Sequence, residues 1–110
     1  MTAHYTLLDA EAQHAETPDT FAIPNQLDRD TLRPGDMVKI CFQGLDHETG
    51  CEGERIWVEV TGTSPDGYTG TLANDPFYLR LEYGQPVEFT SANILCIQRA
   101  DGDAMIAEFG

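Results

Sequence analysis

The chain has 110 residues, with 6 Lys+Arg against 19 Asp+Glu, a formal net charge of −13 at neutral pH and 41% hydrophobic residues. That length allows one domain of ordinary size, and the apolar share supplies a core, which argues against wholesale disorder. The acidic balance argues against direct contact with nucleic acid or anionic lipid, because phosphate binding needs clustered Lys and Arg.

In chain order, Met1-Thr2-Ala3-His4-Tyr5 has no basic stretch and no apolar run follows, so no signal peptide is expected. No window approaches the roughly 20 apolar residues of a membrane span. A cytoplasmic protein is the expectation. Residues 8–16 favour a helix with Asp9 as N-cap and Pro18 after its end; its apolar positions are mostly Ala and offer little burial. Phe21-Ala22-Ile23-Pro24 reads as an extended segment against the main domain. Asn25 is placed to cap a second short helix from Gln26 to Leu32, and Pro34-Gly35-Asp36 closes it in a turn.

The period then changes to two. In 37–42, Val38, Ile40 and Phe42 share one face and Lys39 lies on the other. Residues 43–54 form a polar, Gly-containing acidic loop. In 55–61, Ile56, Val58 and Val60 point one way, and Arg55, Trp57 and Glu59 the other. Ser64-Pro65-Asp66-Gly67 is a tight turn, because Pro presets φ and Gly accepts positive φ, and 68–72 is the returning strand. Asn74-Asp75-Pro76 breaks the chain, and 76–85 is an irregular connection. Residues 86–89 are a short strand, Thr90-Ser91-Ala92-Asn93 a single tight turn and 94–97 the last strand.

This order predicts a mainly β fold (α+β overall): a small SH3-like five-stranded antiparallel barrel with a short N-terminal helical extension. The alternative is a generic antiparallel sheet with the helices on one face. The chain divides into a leader (1–25), a barrel (26–99) and an acidic tail (100–110). Cys41, Cys51 and Cys96 contain no CxxC pair. Cys41 and Cys96 sit in apolar runs and read as small buried hydrophobes in a reducing compartment. Acidic neighbours of Cys51 raise its pKa rather than activate it.

Four segments resemble a known family. Arg29-Asp30-Thr31-Leu32-Arg33-Pro34-Gly35-Asp36-Met37-Val38-Lys39 is similar to the opening motif of small bacterial proteins of the YegJ-like kind, catalogued as a domain of unknown function. Gly53-Glu54-Arg55-Ile56-Trp57-Val58-Glu59-Val60 and Tyr68-Thr69-Gly70-Thr71-Leu72-Ala73-Asn74-Asp75-Pro76 resemble its next two segments. Gly84 through Val87-Glu88-Phe89 to Ile94 resembles its closing one. The resemblance spans about 29 to 97, with a single Lys and an acidic excess as departures. It implies a bacterial origin and brings no activity; such proteins are described as immunity or protein-interaction modules.

Among candidate sites, Trp57 carries most information. Strand parity turns it from the core, where Arg55 and Glu59 flank it as in an interface anchor. Alternatively the Phe21–Ile23 segment or the tail covers it. Glu54 with Arg55 forms a candidate polar recognition pair. Asp46, Glu48, Glu52 and Glu54 pack four carboxylates into nine residues, without the alternating spacing of a calcium loop. That loop reads as a solvated or protein-binding segment. Asp75 has turn chemistry as its simplest role, with Asn74 and Asp75 bonding their own backbone. No nucleophile elbow, zinc motif or phosphate-cradling loop is present, so no catalytic residue, metal or cofactor is expected. The functional expectation is a non-enzymatic domain that binds another protein through the Trp57 strand and the acidic 44–54 loop. The alternative is an acidic inhibitor, an immunity protein or DNA mimic, that neutralises a basic nuclease or nucleic-acid-binding partner.

Overall fold

The computed structural model of the protein describes residues 5–44, 53–74 and 81–100. Among the described residues there are six strands and two short helices: β1 Tyr5–Leu7, α1 Ala10–Glu16, α2 Gln26–Asp30, β2 Met37–Gly44, β3 Glu54–Ser64, β4 Gly67–Leu72, β5 Pro86–Phe89 and β6 Ile94–Gln98. A single 3-10 turn, Ser91–Asn93, joins β5 to β6. All neighbouring strands are antiparallel, and β2 to β5 pair in sequence. The last strand, β6, returns to the free edge of β2. This β6-β2-β3-β4-β5 order, curled into a half-barrel, is the expected SH3-like arrangement. No helix among the described residues is long and apolar enough to cross a membrane.

Alternation builds the core. Val38, Ile40 and Phe42 of β2 meet Ile56, Val58 and Val60 of β3, all buried. Tyr68, Leu72, Val87 and Phe89 close the cluster from β4 and β5, the rings of Tyr68 and Phe89 stacking at 5.5 Å. Each such aliphatic side chain contributes about 1.5–3 kcal/mol of burial. In β6 the register shifts opposite Lys39 and Ile40, so that Lys39 faces Cys96 and Ile40 faces Ile94. The extra residue lets Ile94 and Ile97 both join the core, while Leu95 and Cys96 are buried outside that cluster.

The helices start where their caps place them. Asp9 accepts from the Ala12 N–H and Asn25 from the Asp28 N–H. The N-terminal segment departs from expectation in two ways. Residues 5–7 form β1, on the edge of β2 beyond β6, with Leu7 opposite Phe42. The helix α1, rich in Ala, still buries Ala10 completely. Its attachment is polar rather than apolar. Leu8 donates to the Cys41 carbonyl, and Asn93 Nδ2 donates to that of Leu8.

Arg29 holds this layer together. It is 6% exposed, its Nε donating to the Pro24 carbonyl and its Nη1 to the Ser91 carbonyl and to Glu11 on α1. The Tyr68 hydroxyl reaches out of the core to donate to the Arg29 carbonyl, one of those a helix end leaves open. A second buried charge sits at the entry to β2. Pro34 and Gly35 form a turn closed by Asp36 N–H on the Arg33 carbonyl, and Gly35, at φ 98°, occupies its left-handed position. The Asp36 carboxylate accepts from the backbone of Arg33 and Ala100 at 2.9 Å each, and from Arg99 Nη1 at 3.2 Å. Arg99 also binds Asp28, so this cluster ties α2, the turn and the end of β6.

Burial alone pushes the Asp36 carboxyl up, but the two backbone N–H groups and the Arg99 guanidinium outweigh it and hold it below the ordinary aspartate value. A folded carboxyl of lowered pKa contributes stability above the unfolded value, about 3.9, and loses it as pH falls through the folded one. Asp36→Asn offers one acceptor oxygen where two are used. We expect it to cost about 3 kcal/mol at pH 7, with the difference from wild type closing at pH values below about 4. Urea unfolding of both proteins across that range checks it.

Candidate functional site

With Val38, Ile40, Phe42, Ile56 and Val58 directed inward, the intervening residues of β2 and β3 form an outer face. Cross-strand register sets Lys39 opposite Trp57, Cys41 opposite Arg55 and Met37 opposite Glu59. Trp57 is partly exposed, and Arg55 and Glu59 are exposed on either side of it along β3. The acidic tail, the alternative cover for its ring, lies outside the described residues beyond Ala100. The Lys39 ammonium lies over that ring, 5.0 Å from the centroid. Such a cation–π contact at an exposed site is worth about 0.5–1 kcal/mol.

The backbone of Trp57 spends both of its polar groups on the β4 side, and Lys39 faces it across β2 as a pair without direct backbone bonds. The Ala73 N–H donates to the Trp57 carbonyl at 2.8 Å, and Asn74 Oδ1 accepts from the Trp57 N–H at 2.7 Å. Asn74 thus continues the ladder past the end of β4 with its side chain, a cross-strand role beyond the local turn bonding expected of it. Next to this point Leu72 bonds both Gly84 and Gln85, and Gln85 closes a turn on Glu82. That turn presents Tyr83, 67% exposed, with Gly84 at φ 82° behind it.

The residues singled out from the sequence divide accordingly. Trp57 and Arg55 come together on the outer face. Glu54 lies opposite Phe42, on the alternate face from Arg55, so the two do not form a side-by-side recognition pair. Asp46, Glu48, Glu52 and Asp75 lie outside the described residues. Cys41 corrects an expectation: it is partly exposed on the outer face, because its neighbours Ile40 and Phe42 take the inward positions, whereas Cys96 is buried. Lys39 and Asn74 were not singled out as site residues, although parity already placed Lys39 on this face; Tyr83 carried no periodic signal.

The described cations are Arg29, Arg33, Lys39, Arg55 and Arg99, and Arg29 and Arg99 are held in ion pairs. Elsewhere, a cleft of about 390 Å³ lies between α2, the β3–β4 turn and the 3-10 turn. Asp30 and Asp66 line it beside the hydroxyls of Thr63, Ser64 and Ser91, over Leu32 and Tyr68. Neither carboxylate has an ion-pair partner among the described residues, and no group of three or more His, Cys, Asp or Glu there is arranged to hold a metal. Comparison with family models, with curated proteins and with solved structures finds no match to this chain.

Trp57 is the single tryptophan, so its emission reports on this face alone. Lys39→Ala is expected to lower quenching by iodide relative to neutral acrylamide, since the ammonium attracts the anion to the ring. An unchanged ratio in Stern–Volmer titrations would show that the ammonium does not lie there.

Proposed function

We propose that this protein is a small non-enzymatic interaction module that binds another protein through the outer face of β2 and β3, centred on Trp57. β2 ends at Gly44 and β3 begins at Glu54, at the Arg55 end of that face; the acidic residues 45–52 that the sequence adds to the binding surface lie outside the described residues. The supporting observation is the pinning of Trp57: its backbone N–H and carbonyl are both bonded on the β4 side, while the residue stays partly exposed between Arg55 and Glu59. Trp and Arg are the residue types most enriched at interface hot spots. Residues with strongly paired charges, Arg29, Asp36 and Arg99, are engaged in holding the fold together. The four-segment resemblance to YegJ-like proteins supports placing the protein in bacteria, and Cys41 and Cys96, neither in a disulfide, suit a reducing cytoplasm.

Immobilised wild-type protein is expected to capture a partner from bacterial lysate. Trp57→Ala should weaken that interaction about 30-fold or more, the hot-spot range, while destabilising the domain by only about 1 kcal/mol. Calorimetric titration with the purified partner and thermal unfolding measure the two. A large stability loss with intact binding would make Trp57 a core residue and end the proposal.

A second reading is favoured by the cleft that Asp30 and Asp66 share, together with exposed Asp9, Glu11, Glu16 and Asp19 on the N-terminal layer. It makes the protein an acidic inhibitor of a basic nuclease or nucleic-acid-binding protein. Capture by this route should be lost in high salt and weakened by Asp30→Asn/Asp66→Asn, because steering and rim charge pairs are screened. Partners held equally at both salt concentrations would exclude it.

A further inference from the structure

We infer that the Trp57 face receives an extended segment of a partner protein that places a carboxylate beside an apolar side chain, with the carboxylate toward Arg55. The inference rests on the reading of that face as the recognition surface and adds the chemistry of its occupant.

Charge placement carries the argument. The molecule is strongly acidic, and Arg29 and Arg99 are consumed by Glu11, Asp28 and Asp36. Lys39 and Arg55 are not consumed: neither side chain makes a hydrogen bond or ion pair among the described residues. Both nevertheless converge on Trp57, Lys39 directly opposite it and Arg55 two residues before it on the same face. Diagonal neighbours of this kind lie about 7 Å apart, within reach of one carboxylate. Lys39 has Glu59 as its other diagonal neighbour, yet its ammonium sits over the ring. All of its N–H donors stay open, as do the five of the Arg55 guanidinium, whose fork suits a carboxylate.

The third residue of the row gives direction. Arg55, Trp57 and Glu59 succeed one another every second residue, about 6.8 Å apart, which is the spacing of alternate side chains on an extended segment. Among the described residues of this face, a partner acid set near Arg55 meets two cations; set near Glu59 it meets a carboxylate. Between them the partly exposed indole offers an apolar surface. A polyanion is disfavoured, since two cations on a molecule of net charge −13 release too few counterions to offset the long-range repulsion. A short segment with one acid meets only the local field.

The test is selection of a phage-displayed random peptide library at physiological salt on the full-length protein, followed by titration of the enriched peptides against Trp57 fluorescence. Wild type should enrich peptides with Asp or Glu within two positions of an apolar residue. Arg55→Ala should weaken them about tenfold, the loss expected for a charged hydrogen bond. Lys39→Glu/Arg55→Glu should instead enrich Lys or Arg at the acidic position. If that double variant does not fold by circular dichroism, Lys39→Gln/Arg55→Gln serves, with loss of the acidic preference expected. Peptides that need Trp57 but carry no acid, or are indifferent to Lys39 and Arg55, overturn the inference while leaving the face as a binding surface. Peptides bound equally by wild type and Trp57→Ala overturn the reading of the face itself. No enrichment at all, or quenching of Trp57 by a single-stranded oligonucleotide in place of peptide, overturns the inference.

Discussion

A guanidinium buried among carbonyl oxygens is the constraint on which the arrangement of this protein depends. Arg29 is stranded from water, and a charge so placed is tolerated only where its donors are met. The oxygens that meet them come from three separate places: the approach to α2, the 3-10 turn before β6, and α1. None of these is near another in sequence. The helical layer is therefore held over the barrel by direction-dependent contacts, which specify one docking geometry where a few Ala methyl groups would allow many. The core tyrosine adds to this, since Tyr68 stacks on Phe89 inside the barrel and bonds the helix outside it.

Much of the barrel was legible because the strands β2 to β5 alternate. Val38-Ile40-Phe42 and Ile56-Val58-Val60 identify both strands and their inner faces, and the Pro65-Asp66 turn joins the next pair as its residues dictate. Helix starts were equally readable, since Asp9 and Asn25 cap through contacts three residues away. Three features were not. The strand Tyr5–Leu7 is too short for a period and exists only because β2 extends past β6 to receive it. The burial of Leu95 and Cys96 together follows from a register shift, which no alternation rule contains. The roles of Arg29, Asp36 and Arg99 depend on partners up to 71 residues distant.

The candidate site shows the same division. Parity alone separated Trp57, Arg55 and Glu59 from the core. It could not show that Lys39 stands opposite Trp57, because that needs the pairing register of two strands joined by a long loop. Nor could it show that Asn74 bonds across the sheet to Trp57. The net charge of −13 also changes meaning once the cations are located. Among the described residues, Arg29 and Arg99 are taken up by acids of the same chain. The few that remain matter more by position than by number, and two of them flank the one tryptophan.

The edge of β2 that receives both β1 and β6 has a consequence for how the chain is made. A ribosome releases the N-terminal end first, so β1, β2 and β3 emerge early, and the hairpin through Leu72 can form while the remainder is still in the exit tunnel. The strand that completes the β2 edge is the last to appear, and Arg99 and Ala100, which satisfy Asp36, follow it. Until then an apolar central strand stands with half its hydrogen bonds open and a carboxylate without its counter-charge. Nascent chains stalled before residue 94 would expose that edge to neighbours on the same polysome. The short β1, laid along the far half of the same edge, limits how much of it is open to them.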